Sequence, residues 1–444
     1  MKNKAFNDTR LLDAMDHIDS SLIAETADKI RPPAAPKREA EQPKNRKIFI
    51  AWKQAAALVA CALVMGAIIP AVSMLVAKIN PTQTGYSDGI LPSGGQNEIP
   101  ETEAEISTEE NNYAVETGAP TQSVSYGSEG LEYQVNSDGK SASFIGFGTC
   151  TDEDIVIASN YNGFPVTEMI NDKRNSGVPL EEAGSLYAKS IKVSDTVESI
   201  FGGIFESCPN LESIYIGANV NFIRSFMTPK HNLSKLVEIV VSEDNKYFSD
   251  NGNCLIEKQS KTIIAACKNS VIPDDGSVEI IGILAFTYYP QKELTIPDSI
   301  KRIENGAFAN SNLSYVQLPK NLEYLGSSVF TGCLELESVD LNGFTQLPNA
   351  TFGLCEELSN IKGIENVTFI GNDAFFGCIS LKEISLGAGL TEIGEEAFAL
   401  TYSINTINYA GTVEEWHAIK KSENWKGDVY FIKYINCADG KATP

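Results

Sequence analysis

The chain has 444 residues and a formal net charge of −23, a length that exceeds an ordinary single domain but suits a repeat protein. Residues 1–54 carry a small excess of Lys and Arg, so the whole acidic excess lies beyond them. A body this acidic argues against binding to nucleic acid or to an anionic membrane surface, because contacts with phosphate require Lys and Arg.

Residues 1–54 form the first predicted segment, a cytosolic head. Apolar residues at helical spacing predict a short amphipathic helix within it; they are Leu11, Met15, Ile18 and Leu22. A plain surface helix is the simplest interpretation, and a helix that docks a cytosolic partner is the alternative. The stretch loosely resembles the short cytosolic heads of anti-sigma-like single-pass proteins of Gram-positive bacteria, which would imply a role in signalling.

Residues 55–77 contain no charged residue and are long enough to cross a bilayer as one helix. Lys and Arg are concentrated between residues 37 and 53, whereas Lys78 is followed by no other basic residue before Lys140. The positive-inside rule therefore places the N-terminus in the cytosol and the rest of the chain outside. A lipoprotein or cleaved signal, suggested by "LVAC" at 58–61, is the alternative, although a long segment precedes it.

Residues 78–128 are rich in Gly, Ser, Thr, Pro and Glu and predict a disordered acidic linker, since they cannot bury enough apolar surface to fold. The next stretch, "LEYQVNSDGKSASFIGF", predicts an antiparallel hairpin that turns at Asp138-Gly139. We expect this hairpin to cap the N-terminal end of the following domain.

Three series of apolar residues recur every 22 or 23 residues in the second half of the chain. The aromatic series is Phe308, Phe330, Phe352, Phe375 and Phe398, and aliphatic residues stand at regular distances before and after each. Segments such as "LESVDL" follow and alternate apolar with polar residues, as half-buried strands do. Period and pattern are those of leucine-rich repeats, so residues 129–410 are predicted to form a mainly β solenoid of 22–23-residue repeats.

Three stretches depart from the repeat. Residues 247–268, "YFSDNGNCLIEKQSKTIIAACK", predict a hairpin that turns near 258–261 and projects from one coil. "LSNIKG", residues 358–363, lacks the last apolar residue of the strand motif. Residues 411–444 contain two Trp residues without the repeat pattern and predict the C-terminal cap that a solenoid needs.

These residues resemble the BspA-like leucine-rich repeat family of bacterial cell-surface proteins. The resemblance is carried by "IPDSIKRIENGAFANSNLSYVQLP" at 296–319 and its neighbouring repeats, and by "NYAGTVEEW" at 408–416. It covers roughly residues 130–437. It implies a solenoid fold, a place on the bacterial cell surface and a role in adhesion or ligand binding, without a shared binding site.

The sequence indicates no catalytic, cofactor-binding or metal site, and we expect no enzyme. Its three His residues are isolated and lack the paired spacing that zinc ligation requires. No nucleophile-elbow or phosphate-binding motif is present. "EEWHAI" at 414–419 brings two Glu residues near His417; the surface of a cap helix is the preferred interpretation, and a metal or acid–base role is the alternative.

Four cysteines occupy the same place in the repeat, three residues after a repeat Phe: Cys208, Cys333, Cys355 and Cys378. A position filled once per coil is expected to be buried, where a free Cys behaves as a small apolar residue. Cys254 and Cys267 flank the inserted hairpin instead. They are the better candidates for a disulfide outside the cell.

The outward positions of the strand motif are the candidate binding face, because solenoids bind along extended faces. The candidate ligand-binding residues are Tyr215, Tyr315, Gln317, Ser338, Asp340, Glu383, Ser385, Thr406 and Asn408. Tyr, Ser, Asn and acidic side chains suit contacts with proteins or glycans, and ordinary solvated surface is the alternative. The inserted hairpin is a second candidate site.

The sequence therefore predicts a single-pass protein of the bacterial cell membrane with an extracellular repeat domain. This domain would bind a protein or a polysaccharide in adhesion or recognition, without catalysis or a cofactor. The alternative is a transmembrane signal transducer in which the repeat domain is the sensor and residues 1–54 are the effector.

Overall fold

The structure is a computed structural model of the chain and describes residues 127–170, 185–201, 203–205, 208–224, 235–427, 429 and 432–444. The described residues belong to one compact unit. The predicted head (1–54), transmembrane helix (55–77) and nearly all of the linker (78–128) lie outside them. Among the residues described, no helix is long and apolar enough to cross a membrane.

The described part begins with the predicted hairpin and the first coils. Its strands are β1 (Glu132–Val135), β2 (Ala142–Gly146), β3 (Asp154–Val156), β4 (Asn160–Tyr161), β5 (Phe164–Met169), β6 (Ser190–Lys192), β7 (Ser199–Phe201), β8 (Ser213–Ile216), β9 (Phe222–Arg224) and β10 (Glu238–Val241). β1 and β2 pair antiparallel around Asp138 and Gly139, as predicted. β2 then pairs in parallel with β5, which attaches the hairpin to the first coil.

The inserted segment contains β11 (Phe248–Ser249), β12 (Cys254–Glu257) and β13 (Thr262–Ala266). β12 and β13 form the predicted hairpin, with its turn between residues 257 and 262. However, β13 also pairs in parallel with the next strand, β14 (Ile280–Ile281), and Ile263 and Ala265 are fully buried. The prediction that the hairpin projects is therefore wrong: its second strand is part of the solenoid wall, because its apolar residues complete the core there.

The regular coils each contribute two short strands. These strands are β15 (Arg302–Ile303), β16 (Tyr315–Gln317), β17 (Tyr324–Leu325), β18 (Ser338–Asp340), β19 (Gln346–Leu347), β20 (Asn360–Lys362), β21 (Phe369–Ile370), β22 (Glu383–Leu386), β23 (Glu392–Ile393) and β24 (Thr406–Tyr409). Counterparts in consecutive coils pair in parallel and in register, except that β17 does not pair with β19 and β20 does not pair with β22.

The C-terminal cap consists of α1 (Val413–Ala418), β25 (Lys420–Lys421), β26 (Ile435–Cys437) and β27 (Gly440–Ala442). A capping box starts α1: Thr412 Oγ1 accepts from the Glu415 N–H, and the Glu415 carboxylate accepts from the Thr412 N–H. Trp416 and Trp425 are buried, and the Trp425 ring packs edge-on against Phe398 with 5.7 Å between centroids. The cap thus covers the last repeat core, as predicted.

Two series of parallel strands form the walls. The longer strands form three sheets, β3–β6–β8–β10, β16–β18–β20 and β22–β24–β26–β27. The two-residue strands form two further groups: β14, β15 and β17 continue the sheet of the inserted hairpin, and β19–β21–β23–β25 form a sheet of their own. Within the core the repeat Phe rings stack from Phe286 to Phe398, with centroids 5.2–5.8 Å apart. The predicted aromatic series is therefore confirmed as a continuous buried column.

The turn around each repeat Phe requires left-handed backbone at two positions. Residues two before the Phe have φ between 51° and 64°; they are Leu284, Gly306, Ser328, Ala350, Asp373 and Glu396. Residues two after it have φ between 56° and 74°; they are Tyr288, Asn310, Gly332, Leu354, Gly377 and Leu400. Only some of these positions are Gly, although such φ values cost energy for other residues. Stacking of the coils therefore holds a backbone that local preference alone would not favour.

The repeat cysteines form a buried series of hydrogen-bond donors. The thiols of Cys333, Cys355 and Cys378 each donate to the carbonyl of a Phe one coil earlier, at 3.2 Å. At the next coil the Thr401 hydroxyl donates to the Phe375 carbonyl in the same way. The structural role predicted for these cysteines is confirmed. Cys254 and Cys267, the disulfide candidates, are both buried free thiols.

Candidate binding face

Alternate residues of β16, β18, β20, β22, β24 and β26 point out of the solenoid and form one polar surface, here named the strand face. Parallel register aligns them in rows: Tyr315–Ser338–Asn360, Gln317–Asp340–Lys362, Glu383–Thr406 and Ser385–Asn408–Asn436. The apolar residues between them, such as Val316, Val339 and Ile384, are buried. The predicted alternation of inward and outward residues is confirmed.

Most of the predicted ligand-binding residues lie on this face and are accessible, at least in part. The accessible ones are Tyr315, Gln317, Ser338, Glu383, Ser385, Thr406 and Asn408. Tyr215 lies apart from them on β8, in the sheet that ends at β10. There the Lys192 ammonium stands 5.2 Å from the centre of its ring. The structure thus brings seven of the predicted residues together and leaves Tyr215 outside the group.

Asp340 corrects the prediction that every outward position is exposed, since only 7% of its surface is accessible. Its carboxylate accepts from the Lys362 ammonium at 2.7 Å and from the Asn342 N–H at 2.9 Å. The hydrogen bond from Lys362 is the main reason why the pKa of Asp340 lies below its usual value. Asp340 therefore organises the face by holding Lys362, which is itself well exposed.

A chain of side-chain hydrogen bonds crosses the C-terminal part of the strand face. The Asn436 amide donates to Asn408 Oδ1 at 2.9 Å. The Asn408 amide in turn donates to Glu383 Oε1 at 2.5 Å and to Ser385 Oγ at 3.4 Å. These contacts fix the orientation of amide, hydroxyl and carboxylate groups on three neighbouring strands, so a ligand would meet an ordered set of donors and acceptors.

Three residues of this surface, and Tyr434 next to β26, were not predicted from the sequence. Asn360 and Lys362 lie in "LSNIKG", where the loss of the last apolar residue hid the strand although the period continued. Asn436 and Tyr434 lie in the cap, which has no repeat pattern. Tyr434 is exposed, and the Lys441 ammonium lies 3.5 Å from its ring centre and lowers the pKa of the phenol. Only the strand register of the structure joins the cap to the face.

The strand face is interrupted between β20 and β22. These strands occupy consecutive coils, yet the first sheet ends at β20 and the next begins at β22 without pairing between them. An open depression of about 410 Å³ lies beside the starts of β18, β20 and β22; it is lined by Glu337, Glu357, Ser359, Ser380, Lys382 and Glu383. The strand face is therefore interrupted at the coil where the sequence motif fails, and a depression lies at the starts of the strands near this interruption.

The described residues hold no group of three or more His, Cys, Asp or Glu side chains arranged to bind a metal ion. His417 is exposed on α1. Burial raises the pKa of the Cys208 and Cys254 thiols to about 12 and raises that of Cys378 further. These buried thiols are therefore protonated at neutral pH and unsuited to act as nucleophiles.

The stacked coils, the two strand series and the column of Phe rings define a leucine-rich repeat solenoid. Residues 183–262 and 279–405 match the description "BspA type Leucine rich repeat region" in six copies. The chain therefore contains a BspA-type leucine-rich repeat region, and the resemblance found in the sequence is confirmed. No curated protein matches the chain.

Several solved structures are similar to the chain. A leucine-rich cell surface protein from Faecalibacterium prausnitzii is 18% identical, with a TM-score of 0.36, over 68% of this chain and 99% of its own. A leucine-rich repeat protein from Eubacterium ventriosum is 17% identical, with a TM-score of 0.40, over 70% and 91%. One from Bacteroides ovatus is 17% identical, with a TM-score of 0.33, over 70% and 98%.

Proposed function

We propose that this protein is a membrane-anchored cell-surface protein that binds a protein or a polysaccharide through its strand face. The observation that carries the proposal is the alignment of polar residues in rows across two groups of three strands, β16–β18–β20 and β22–β24–β26. Such rows present an extended and rigid surface, and a rigid surface loses little conformational entropy when it binds a ligand.

The composition of the strand face supports a role in binding. Tyr315 offers a ring that is 46% exposed, and such rings provide contact area at a small entropic cost. The Asn408 and Glu383 side chains are held in place by hydrogen bonds, so their polar atoms are preorganised for a ligand. Binding without catalysis is the activity that these groups favour.

The anchor is proposed from the apolar residues 55–77 and from the basic residues before them. Digestion of intact cells with an added protease should remove the repeat domain and leave residues 1–54 protected. Protection of the repeat domain would contradict the proposed topology. If residues 1–54 also signal, deletion of residues 1–30 should change transcription while ligand binding stays intact.

Binding can be tested with the full chain purified in detergent and applied to arrays of glycans and extracellular matrix proteins. We expect at least one class of ligand to be retained, and the variant Tyr315→Ala/Gln317→Ala/Ser385→Ala to lose it. Tyr247→Ala is the matched control, since Tyr247 is 49% exposed but lies outside the strand face. Retention of the ligand by the triple variant would show that binding occurs elsewhere.

A further inference from the structure

A row of polar side chains crosses the C-terminal end of the strand face and continues into the cap. Strand register aligns Ser385, Asn408, Asn436 and Lys441 in this row, across β22, β24, β26 and β27. Neighbouring strands lie about 4.8 Å apart, so the row is roughly 14 Å long. It is therefore long enough to contact several units of an extended ligand.

Asn408 fixes the orientation of the side chains around it. Its Oδ1 accepts from the Asn436 amide at 2.9 Å, and its own amide donates both to Glu383 Oε1 and to Ser385 Oγ. Because both of its N–H groups are in use, the Asn408 amide is held in one orientation, and the Glu383 carboxylate is held with it. The polar groups of this part of the face are therefore preorganised.

The other part of the strand face lacks such a network. Among the outward residues of β16, β18 and β20, all of which the structure describes, one hydrogen bond joins two side chains, from Lys362 to Asp340 at 2.7 Å. Asp340 is covered by this contact, whereas Glu383 is exposed. The C-terminal end is therefore better prepared for a polar ligand, since less freedom is lost on binding.

The network leaves polar atoms at the surface for a ligand. Glu383 Oε2 and Asn436 Oδ1 accept from no donor of the described residues, and the Ser385 hydroxyl donates to no acceptor among them. Glu383 and Ser385 are exposed, and Asn436 is partly accessible. A hydroxyl group can both donate and accept, so a ligand with several hydroxyls can satisfy such a mixed set.

An aromatic ring borders the row at its cap end. Lys441, which pairs with Asn436 in the ladder, brings its ammonium to 3.5 Å from the centre of the Tyr434 ring. The ring is therefore held beside the row, and 44% of Tyr434 remains accessible. Sugar rings present apolar C–H groups as well as hydroxyls, and a fixed Tyr ring offers them contact area at a small entropic cost.

Charge distinguishes this end of the strand face from the rest of the molecule. Its ionised groups are the Glu383 carboxylate and the Lys441 ammonium, which cancel, whereas the whole chain has a net charge of −23. Residues 411–444 contain five Lys and five acidic residues, so the cap adds no net charge. A basic partner would be drawn to the whole acidic body, and an acidic one repelled by it. The neutral end therefore suits an uncharged ligand.

We propose that this end of the strand face, here named the cap-end site, binds a neutral polysaccharide. The site consists of Glu383, Ser385, Asn408, Tyr434, Asn436 and Lys441. Hydroxyls of consecutive sugar units bond to the fixed carboxylate, amide and hydroxyl groups, and one unit packs its C–H groups on the Tyr434 ring. This inference rests on the proposed binding function and narrows its ligand from a protein or a polysaccharide to a neutral polysaccharide.

The test measures fluorescence anisotropy of labelled hexasaccharides with the full chain, in a detergent that has no sugar headgroup. The neutral probes are linear hexasaccharides of glucose, mannose, galactose and xylose; hexagalacturonate is the acidic probe and hexalysine the basic one. We expect at least one neutral probe to bind. Its Kd should change by less than about twofold between roughly 0.05 and 0.5 M NaCl, because salt does not screen contacts with an uncharged ligand.

The variant Asn408→Ala locates the site on the protein. It removes the amide that orients Glu383 and should weaken binding of the neutral hexasaccharide about tenfold or more. Asn321→Ala is the matched control: Asn321 is exposed and also donates to a neighbouring coil, to the Asp298 carbonyl at 3.0 Å, but it lies outside the strand face. Tyr434→Ala should weaken binding more than Tyr434→Phe, which keeps the ring.

Three results would overturn the inference. Equal binding by the variants Asn408→Ala and Asn321→Ala would place the sugar elsewhere on the protein. Binding of hexagalacturonate or hexalysine without any neutral probe would show that the ligand is charged. Retention of a matrix protein on the array without binding of a neutral glycan would reject the polysaccharide and leave the proposed function standing, whereas failure of every probe and of the whole array would reject both.

Discussion

The series of long strands is interrupted in two places, after β10 and after β20. The two strand edges differ in whether side chains accept hydrogen bonds from their backbone N–H groups. After β10 the inserted hairpin supplies Asn253 and Asp250 as acceptors for the exposed strand edge. After β20 the next coil keeps its place in the stack, but the described residues provide no such acceptor. An insertion can therefore bring its own cap, whereas loss of one apolar residue from a repeat leaves an open edge.

The second break also shows that strand pairing in the wall of the solenoid and packing in its core do not depend on each other. At the second break the wall opens, yet the Phe column continues beneath it without a gap. Ile361 in the open wall is 8% accessible, whereas Val339 one coil earlier is 1% accessible. A repeat can therefore lose pairing in its wall without losing the stacked core below it.

The largest effect is expected from the core below the break. Phe352→Ala removes a fully buried ring that stacks on both neighbours and should lower the free energy of unfolding by about 3–5 kcal/mol. Thermal or urea unfolding of the full chain measures this loss. Phe222→Ala is the control, because Phe222 is 46% exposed and its loss should cost about 1 kcal/mol or less. Equal melting temperatures for the two variants would mean that the column of Phe rings does not make the main contribution to the stability of the core.

A smaller effect is expected at the first break. Asn253→Gly removes the cap of the Ile239 N–H but keeps a residue that tolerates φ of 58°. It should lower the free energy of unfolding by about 1–3 kcal/mol, the cost of an unsatisfied buried donor. Asn310→Gly changes the same residue type at the same φ where no strand edge is capped, and should be nearly neutral. Equal losses of stability in the two variants would show that the greater backbone freedom of Gly, and not the lost hydrogen bond to Ile239, causes the effect.

A third effect depends on pH and concerns Asp373 in the coil of Phe375. Burial, and then the charges of Glu396 and Glu395, raise its pKa from 3.8 to about 7. Because the pKa is higher in the folded protein than in the unfolded chain, ionised Asp373 destabilises the fold. This effect is absent below pH 4 and complete above pH 7.

Asp373→Asn should therefore raise the melting temperature at pH 8 by more than at pH 4. Asn also suits the left-handed φ of 56° at this position, and this benefit should be the same at both pH values. An increase that does not depend on pH would show that the Asp373 carboxyl is not responsible.

Much of this fold could be predicted because each core position recurs once in every repeat of the sequence. The Phe column, the buried Cys series and the alternation of the long strands all follow from period and polarity alone. The left-handed positions could not be predicted, since Leu354 and Glu396 carry no local signal for such backbone. The stacking of neighbouring coils holds these residues in the left-handed conformation.

The candidate site was less predictable, because it depends on what lies one coil away. The strand pattern predicts Asp340 as an exposed outward residue, whereas in the structure Lys362 of a degenerate repeat covers it. The failure of "LSNIKG" was visible in the sequence. The loss of pairing between β20 and β22 could not be predicted from it. Whether a strand that lacks its last apolar residue still pairs depends on the turn that follows the strand.

Amide hydrogen exchange of the full chain tests the contrast between the two breaks most directly. The Leu341 N–H, which bonds to the next coil, and the Ile239 N–H, which Asn253 caps, should be protected. The Ile361 N–H should exchange at least about tenfold faster than both, because no strand or side chain among the described residues accepts a hydrogen bond from it. Protection of Ile361 equal to that of Leu341 would mean that β20 and β22 are paired in solution, and it would contradict the break between these two strands.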